Sequence, residues 1–198
     1  MQRLGQEGLT LGHALPPVFG IAGFKNAGKT TLLAALVREL TARGFRVGSI
    51  KHAHHAFDID HPGKDSWRHR EAGAREVVVV SGQRLAHLQE LDGPPPSLDA
   101  LLARFGAVDL VLAEGYKASP HRKLEVRRKD APGPALGDAA AGVVAIAADF
   151  VPPGVTVPVL PLDDVPAIAD FIVDTLGLPR SASSGEPVST GARQPDRG

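Results

Sequence analysis

The sequence predicts an α/β fold, in which a largely parallel β-sheet carries an antiparallel extension and has helices on both of its faces. Short apolar segments alternate with segments whose apolar residues recur at helical spacing, which is typical of strand–helix–strand units. A glycine-rich turn at residues 23–30 joins the first such strand to the first helix. The segments 76–80 and 84–88 are separated only by a turn around Ser81-Gly82, which indicates an antiparallel hairpin.

The length of 198 residues favours a single domain. We expect this domain at 17–178, between a flexible extension at 1–16 and a disordered tail at 179–198 that is rich in Ser, Gly and Pro. Lys plus Arg and Asp plus Glu both number 22, so we expect no nucleic-acid surface. No apolar segment approaches the roughly 20 residues that cross a bilayer, so we expect no membrane association. The chain has no cysteine, which excludes disulfides and fits a cytoplasmic location.

The chain begins its regular structure with a β-α-β unit. A strand at 18–22, a helix at 29–43 and a strand at 46–50 follow one another, and Gly44 is placed to end the helix in a left-handed conformation. A right-handed crossover of this kind opens a parallel, doubly wound sheet. The polar segment after it is predicted to be a loop that passes into a short helix at 65–72.

The second half of the chain continues the alternation after the hairpin. Gly93-Pro94-Pro95-Pro96 breaks the chain, and Ser97 is placed to cap the next helix. Apolar and charged residues alternate from Leu124 to Arg128, which predicts a half-exposed strand there. The other predicted elements are a helix at 98–105, buried strands at 108–113 and 143–147, a loop at 130–142, a strand at 155–160 and a helix at 165–176.

Residues 23–30 read Gly-Phe-Lys-Asn-Ala-Gly-Lys-Thr, which is the pattern G-x-x-x-x-G-K-[ST] of a phosphate-binding P-loop. Glycine lets the backbone approach a ligand where a Cβ would clash, and successive N–H groups then point at a phosphate chain. Lys29 is predicted to reach the β- and γ-phosphates, and the Thr30 hydroxyl to hold Mg²⁺. The predicted nucleotide-binding residues here are Gly23, Lys25, Asn26, Ala27, Gly28, Lys29, Thr30 and Thr31.

Glu114 ends the apolar strand at 108–113, where a Walker B carboxylate lies in P-loop proteins. We therefore expect Thr30 and Glu114 to be magnesium ligands, and Lys29 and Glu114 to be the catalytic residues. No arginine lies within residues 23–30, and no glutamine stands in an evident water-positioning place. A missing arginine finger is worth about 10³–10⁵ in rate, so we expect hydrolysis well below about one turnover per second unless Arg68, Arg70 or a partner supplies the charge.

Three stretches together resemble the molybdopterin-guanine dinucleotide biosynthesis protein B (MobB) family. They are Gly20–Thr31, the segment from Lys51 through Asp65-Ser66-Trp67-Arg68 to Ala74, and Asp109–Lys117, and the resemblance spans about residues 17–177. It implies a P-loop NTPase fold, GTP and Mg²⁺ as ligands, weak GTPase activity and a homodimer. It also implies work on molybdopterin, or its molybdenum form, beside a partner guanylyltransferase that joins GMP to molybdopterin.

The segment 52–69 contains five of the eight histidines and admits three interpretations. A nucleotide-responsive loop would place Asp58 or Asp60 near Mg²⁺, while Lys64, Ser66 and Arg68 face a pterin phosphate or a partner. A transition-metal site, as in a metallochaperone-type GTPase, would use imidazole and carboxylate ligands. Those ligands would be His54, His55 and His61 with Asp58 or Asp60. The third interpretation is a solvated loop without a special role.

Asp149 follows the strand at 143–147, where the aspartate of a guanine-specific site would lie. Our hypothesis is that it reads the base, and the alternative is a solvated acid at the end of a strand. Two other functions stay open. One is a small-molecule kinase whose acceptor site contains Asp58, Asp65 and Arg68, and the other is a binding module that uses nucleotide to order a partner surface. The leading prediction is a GTP-binding accessory protein of molybdenum-cofactor maturation with slow hydrolysis.

Overall fold

A computed structural model of the chain describes residues 14–53, 57, 59–131, 133, 135–136 and 142–180. The predicted terminal segments therefore fall almost wholly outside the described residues, and their flexibility stays a prediction. The strands are β1 (Val18–Gly23), β2 (Val47–Lys51), β3 (Glu76–Val80), β4 (Leu85–Gln89), β5 (Leu110–Glu114), β6 (Lys123–Arg127), β7 (Val143–Ala148) and β8 (Val159–Pro161). The helices are α1 (Lys29–Ala42), α2 (Asp65–Glu71), α3 (Leu98–Leu102) and α4 (Val165–Leu176).

The main sheet has six strands in the order β2-β5-β1-β6-β7-β8, and every neighbouring pair is parallel. All six strands therefore end at the same edge. β1 lies inside the sheet with β5 on one side and β6 on the other. The glycine-rich turn that follows β1 is thus flanked by the ends of these two strands, which places groups from distant parts of the sequence beside it.

The predicted antiparallel hairpin is confirmed, because β3 pairs with β4 from Glu76↔Gln89 to Val80↔Leu85. It forms a two-stranded sheet of its own, so the main sheet is parallel throughout. Most of its apolar side chains remain exposed, among them Val78 and Leu85. The hairpin is therefore an appendage of the α/β core.

The hydrophobic core lies between one face of the sheet and the helices α1 and α4. Phe19 and Ile21 of β1 point into it, and Leu36 and Leu40 of α1 with Ile172 of α4 cover them, all fully buried. Both helices begin and end where the sequence predicts within a residue. The α/β prediction is thus confirmed where the apolar periodicity is strongest.

The chain that follows α3 packs on β2. A Cβ on Gly48 of β2 would come within 2.6 Å of the Phe105 ring, so the segment just after α3 packs directly on that strand. α3 begins at residue 98 as predicted but ends at 102, three residues before the predicted end at 105. Ser97 caps it as expected, because its Oγ accepts the Ala100 N–H at 3.2 Å.

β8 begins at Val159 and not at 155 as predicted. It is an edge strand that pairs only with the last three residues of β7. Pro158 directly precedes β8, and Pro161 is its last residue. Proline has no N–H to donate to a strand ladder. Residues 155–157 are therefore outside the sheet.

The strand predicted at 124–128 is β6, but the prediction that it is half exposed is wrong. β6 pairs with β1 and β7 inside the sheet. Its charged residues Lys123 and Glu125 are 0% and 2% exposed. The alternation of charged and apolar residues therefore belongs to a strand that is buried on both faces.

Main-chain groups compensate the burial of these two charges. Lys123 Nζ donates hydrogen bonds to the carbonyl oxygens of Lys117 at 3.3 Å and Ser119 at 2.5 Å. Glu125 Oε1 accepts the Leu136 N–H at 3.2 Å. Burial lowers the pKa of Lys123 and raises the pKa of Glu125. Buried charged groups are tolerated when they are bonded in this way.

Candidate functional site

The turn between β1 and α1 has the backbone that a P-loop requires. Gly23, Asn26 and Gly28 have positive φ values of 146°, 63° and 90°. A Cβ on Gly23 would lie 2.6 Å from the Val126 carbonyl oxygen of β6, so only glycine fits there. Lys25 and Asn26 are exposed at the tip of the turn, while Ala27 is buried beneath it.

Lys29 and Thr30 open α1, directly after this turn. Lys29 Nζ donates a hydrogen bond to the Phe24 carbonyl oxygen at 2.7 Å, so the ammonium folds back over the loop. Burial lowers the pKa of Lys29, and Glu114 opposes this effect. Thr31, which follows Thr30 in α1, is exposed. The ammonium and the first N–H groups of the helix therefore face the same edge of the sheet.

Glu114 meets Thr30 at this edge. Thr30 Oγ1 lies 2.9 Å from Oε1 and 3.0 Å from Oε2 of Glu114, although the two residues are 84 positions apart. The contact exists because β5 is the parallel neighbour of β1 and ends beside it. Glu114 is only 8% exposed. A hydroxyl and a buried carboxylate in contact are oxygen ligands of the kind that Mg²⁺ prefers.

Two lysines that the sequence interpretation missed lie beside this pair. Lys51 Nζ, at the end of β2, is 3.6 Å from Glu114 Oε1. Lys117 Nζ lies 4.4 Å from the centre of the Phe24 ring. Both lower the pKa of Lys29 through charge repulsion. Their positions after parallel strands were the available signal, since such strand ends converge on one edge.

The loop that follows β5 is held in an unusual conformation. Gly115 and Tyr116 both have positive φ, at 98° and 47°. A Cβ on Gly115 would lie 3.0 Å from the His52 Cβ. The Tyr116 ring packs on His52 with 5.2 Å between ring centres, and burial raises the pKa of Tyr116. This packing brings the end of β2 and the loop after Glu114 into one surface.

On the other side of β1, Asp149 follows β7 as predicted. Its Oδ1 accepts the Lys129 N–H at 2.8 Å, which ties the end of β7 to the loop after β6. A cavity of about 570 Å³ opens beside it. Residues that line the cavity include Arg128, Asp149, Phe150, Leu162 and Asp163. The cavity therefore lies two strands away from β1, at the same edge of the sheet as the turn.

The aspartates and histidines of the segment 52–69 give no metal cluster among the described residues. Asp58, His54 and His55 lie outside the described part of the chain. Asp60 Oδ1 accepts hydrogen bonds from Ser66 Oγ at 2.8 Å and from the His61 N–H at 3.1 Å. These contacts join Asp60 to the start of α2, and its role as a magnesium ligand stays a prediction.

A G-x-x-x-x-G-K-T turn between a central parallel strand and a helix, with an acid at the end of the next strand, defines the P-loop class of α/β proteins. This chain has that architecture. It belongs to the MobB family, described as "Molybdopterin guanine dinucleotide synthesis protein B", which matches residues 18–149. The resemblance noted in the sequence is therefore confirmed.

Relatives of known name span most of the chain. A Haemophilus influenzae "Molybdopterin-guanine dinucleotide biosynthesis adapter protein" is 41% identical over 162 residues, covering 81% of this chain and 89% of that protein. An Escherichia coli protein of the same name is 40% identical over 169 residues, covering 82% and 95% of the two chains.

Solved structures of the family share the fold. "The Crystal structure of Bacillus subtilis MobB" superposes with a TM-score of 0.63 at 26% identity, covering 81% of this chain and 98% of that one. "Crystal Structure of molybdopterin-guanine biosynthesis protein B (mobB)" gives 0.61 at 24% identity, with 80% and 99% covered. Within the described residues, no helix has both the length and the apolar character that a membrane span needs.

Proposed function

We propose that this chain is an adapter protein of molybdopterin-guanine dinucleotide biosynthesis that binds GTP with Mg²⁺ at its P-loop. The observation that carries this proposal is the contact between the Thr30 hydroxyl and the buried carboxylate of Glu114 beside the turn. Main-chain N–H groups of the turn and the Lys29 ammonium would bind the β- and γ-phosphates. Thr30 and Glu114 would hold Mg²⁺, which bridges phosphate oxygens and neutralises their charge.

Guanine recognition is assigned to Asp149. Its carboxylate stands at the end of β7 beside the cavity, and the Lys129 N–H fixes one of its oxygens. A carboxylate can accept from the N1 and N2 donors of guanine, whereas adenine offers no such pair. Sites built around a hydrogen-bonding group of the ligand discriminate by about 10⁴ or more against analogues that lack it.

Hydrolysis should be slow. Glu114 is engaged by Thr30 and faces Lys51, which fits a metal-holding role better than activation of water. Without an arginine finger at the γ-phosphate, turnover is about 10³–10⁵ times slower than in GTPases that have one. We therefore propose that nucleotide state, more than rapid turnover, controls how the chain works with a partner guanylyltransferase and with molybdopterin.

A homodimer is part of the same proposal. The hairpin β3–β4 lies outside the main sheet and exposes Val78, Val80 and Leu85 at 57%, 71% and 69%. Exposed apolar groups on a short, isolated hairpin favour association with another surface. Sedimentation equilibrium of the full chain would test this, and a monomer at micromolar concentration would contradict it.

Calorimetric titration with GTP, GDP and ATP, with and without Mg²⁺, tests the nucleotide site. We expect GTP to bind more tightly with Mg²⁺ than without it, Lys29→Ala to lose binding, and Asp149→Ala to bind GTP and ATP alike. Failure of the parent to bind either triphosphate at millimolar concentration would contradict the proposal. Labelled γ-phosphate released to water identifies a GTPase, whereas transfer to a small acceptor would identify a kinase.

The adapter role needs its own assay. With the partner guanylyltransferase, GTP and molybdopterin present, the chain should increase the yield of molybdopterin-guanine dinucleotide. Lys29→Ala should lose this stimulation while it remains folded. Equal stimulation by the variant and the parent would separate the adapter role from nucleotide binding and would overturn the combined proposal.

A further inference from the structure

The carboxyl edge of the sheet presents its polar groups in a row. Because the strand order is β5-β1-β6-β7, Glu114 stands on one side of the P-loop, and Asp149 stands two strands away on the other side. Neighbouring strands lie about 4.8 Å apart, so the end of β7 is roughly 10 Å from the end of β1. The end of β6 lies between them.

Arg128 occupies this intermediate position. It follows the last residue of β6, which is parallel to β1 and pairs with it up to Gly23↔Val126. Its guanidinium lies against Gly28 of the P-loop, with Nε 3.2 Å and Nη2 3.4 Å from the point where a Cβ of Gly28 would be. Arg128 also lines the cavity that contains Asp149. One cationic side chain therefore lies beside the glycine-rich turn and also lines the proposed base cavity.

The surroundings leave this charge available to an anion. Arg128 is exposed, and no ion pair joins it to a carboxylate in the part of the chain that the structure describes. Most other arginines with a described side-chain contact form an ion pair with an aspartate or a glutamate, among them Arg43, Arg46, Arg70 and Arg180.

The loop that carries Arg128 is anchored on both sides. The Ala131 N–H bonds the Arg128 carbonyl oxygen at 3.2 Å, which closes a turn. The next residue, Lys129, donates its N–H to Asp149 at 2.8 Å. The guanidinium is therefore attached to the same local framework as the proposed base-reading carboxylate, and its position relative to Gly28 is set by β6.

We propose that Arg128 is a nucleotide-binding residue that contacts the α-phosphate and ribose end of a bound nucleoside di- or triphosphate. This inference rests on the proposed function, since it assumes that the P-loop binds a nucleotide. A guanidinium forms charge-assisted hydrogen bonds with phosphate oxygens and stays charged at any physiological pH. Gly28 contributes because its lack of a side chain leaves room for the guanidinium beside the turn.

The side of β1 on which Arg128 lies distinguishes it from an arginine finger. Glu114 and Lys51, which mark the metal and γ-phosphate end, belong to β5 and β2 on the opposite side. An arginine next to β7 is therefore placed to raise affinity for GDP and GTP alike. It is not placed to stabilise charge that develops on the γ-phosphate during hydrolysis.

Binding of GDP and of GTP with Mg²⁺ to the full chain tests this inference by titration calorimetry. Arg128→Ala should weaken both nucleotides by about tenfold or more, which is the usual effect of losing a charge-assisted hydrogen bond. Arg128→Lys should recover part of the loss. Arg38→Ala is the matched control, because Arg38 is exposed on α1 and its replacement removes the same charge. Turnover at saturating GTP should change less than about threefold in Arg128→Ala, because a finger arginine would be worth far more.

The possible results separate the two proposals. If the parent binds GTP and both Arg128 variants bind GDP and GTP as tightly as Arg38→Ala does, the inference is overturned and the proposed function stands. A loss confined to turnover, with unchanged GDP affinity, would also overturn it, because Arg128 would then act at the γ-phosphate. If the parent binds no nucleotide, the proposed function itself fails. Thermal melting without nucleotide should be the same for all variants.

Discussion

Replacing Gly23 with alanine should perturb the P-loop in two ways, by straining the backbone and by crowding the neighbouring strand β6. The φ of Gly23 is 146°, which L-residues rarely adopt, and the new Cβ would lie 2.6 Å from the Val126 carbonyl oxygen. A strained backbone of this kind costs about 1–3 kcal/mol. Overpacking against a fixed neighbour costs about another 1–3 kcal/mol. We therefore expect Gly23→Ala to lower the free energy of unfolding by about 2–6 kcal/mol.

Two other glycines provide matched controls. Gly73 has a φ of 99° with nothing within 4 Å of its Cβ position, so Gly73→Ala introduces backbone strain alone, about 1–2 kcal/mol. A Cβ on Gly20 would lie 2.5 Å from His121 Nε2 and 2.7 Å from the Lys123 Cβ, but Gly20 has no positive φ. Gly20→Ala therefore introduces overpacking alone, about 1–3 kcal/mol.

Urea denaturation of the three variants measures these contributions. Gly23→Ala should be the least stable, close to the sum of the other two losses. It should also lose affinity for GTP, because movement of β1 away from Val126 displaces the turn, whereas Gly73→Ala should retain it. If Gly23→Ala were no less stable than Gly73→Ala, the close approach of β6 to the P-loop would be refuted.

Three further predictions concern titration, metal and a buried cation. Burial, together with the charge of Lys123, lowers the pKa of His121 from about 6.5 to about 4. As the pH falls below 6.5, the unfolded chain takes up a proton that the folded chain does not. The free energy of unfolding should therefore decrease between pH 6.5 and pH 4. The full shift corresponds to about 3.4 kcal/mol, and partial exposure reduces this to roughly 1–2 kcal/mol. Urea denaturation at a series of pH values should show a flatter profile for His121→Asn, and parallel profiles would contradict this. Glu114→Gln should abolish the Mg²⁺-dependent gain in GTP affinity measured by calorimetry, and a retained gain would contradict the magnesium assignment. Lys123→Met should lower the free energy of unfolding in urea by about 1–3 kcal/mol, because the half-buried carbonyl groups of Lys117 and Ser119 lose their donor; an unchanged value would contradict this.

Local patterns predicted the elements that depend on local interactions. The helix at 165–176 and the strand at 76–80 match the structure residue for residue. Asp164 and Gly177 delimit that helix, because the Asp164 carboxylate accepts the Ala167 N–H and Gly177 adopts a φ of 65°. Such caps act over three or four residues, so the sequence alone shows them.

The sequence predicted the motif of the candidate site, but it did not predict the charged side chains that surround the motif. Residues 23–30 carry their own turn chemistry, and Glu114 was recognised because an acid ends an apolar strand. Lys51, Lys117 and Arg128 were missed, although all three lie beside the P-loop or its carboxylate. Each joins the site only through the order of strands, which periodicity does not encode.

The sequence by itself determined the class of fold and the glycine-rich turn, because these rest on short-range spacing of glycine, lysine and apolar residues, and three matching stretches carried the resemblance to the MobB family. Only the tertiary structure decided that β5 and β6 flank β1, and hence that Glu114 contacts Thr30 and that Arg128 lies beside Gly28. It also decided that Lys123 and Glu125 are buried, against their alternating pattern. The physical reason is that these groups lie on or beside strands that are distant in sequence, and such strands become neighbours only when the sheet assembles.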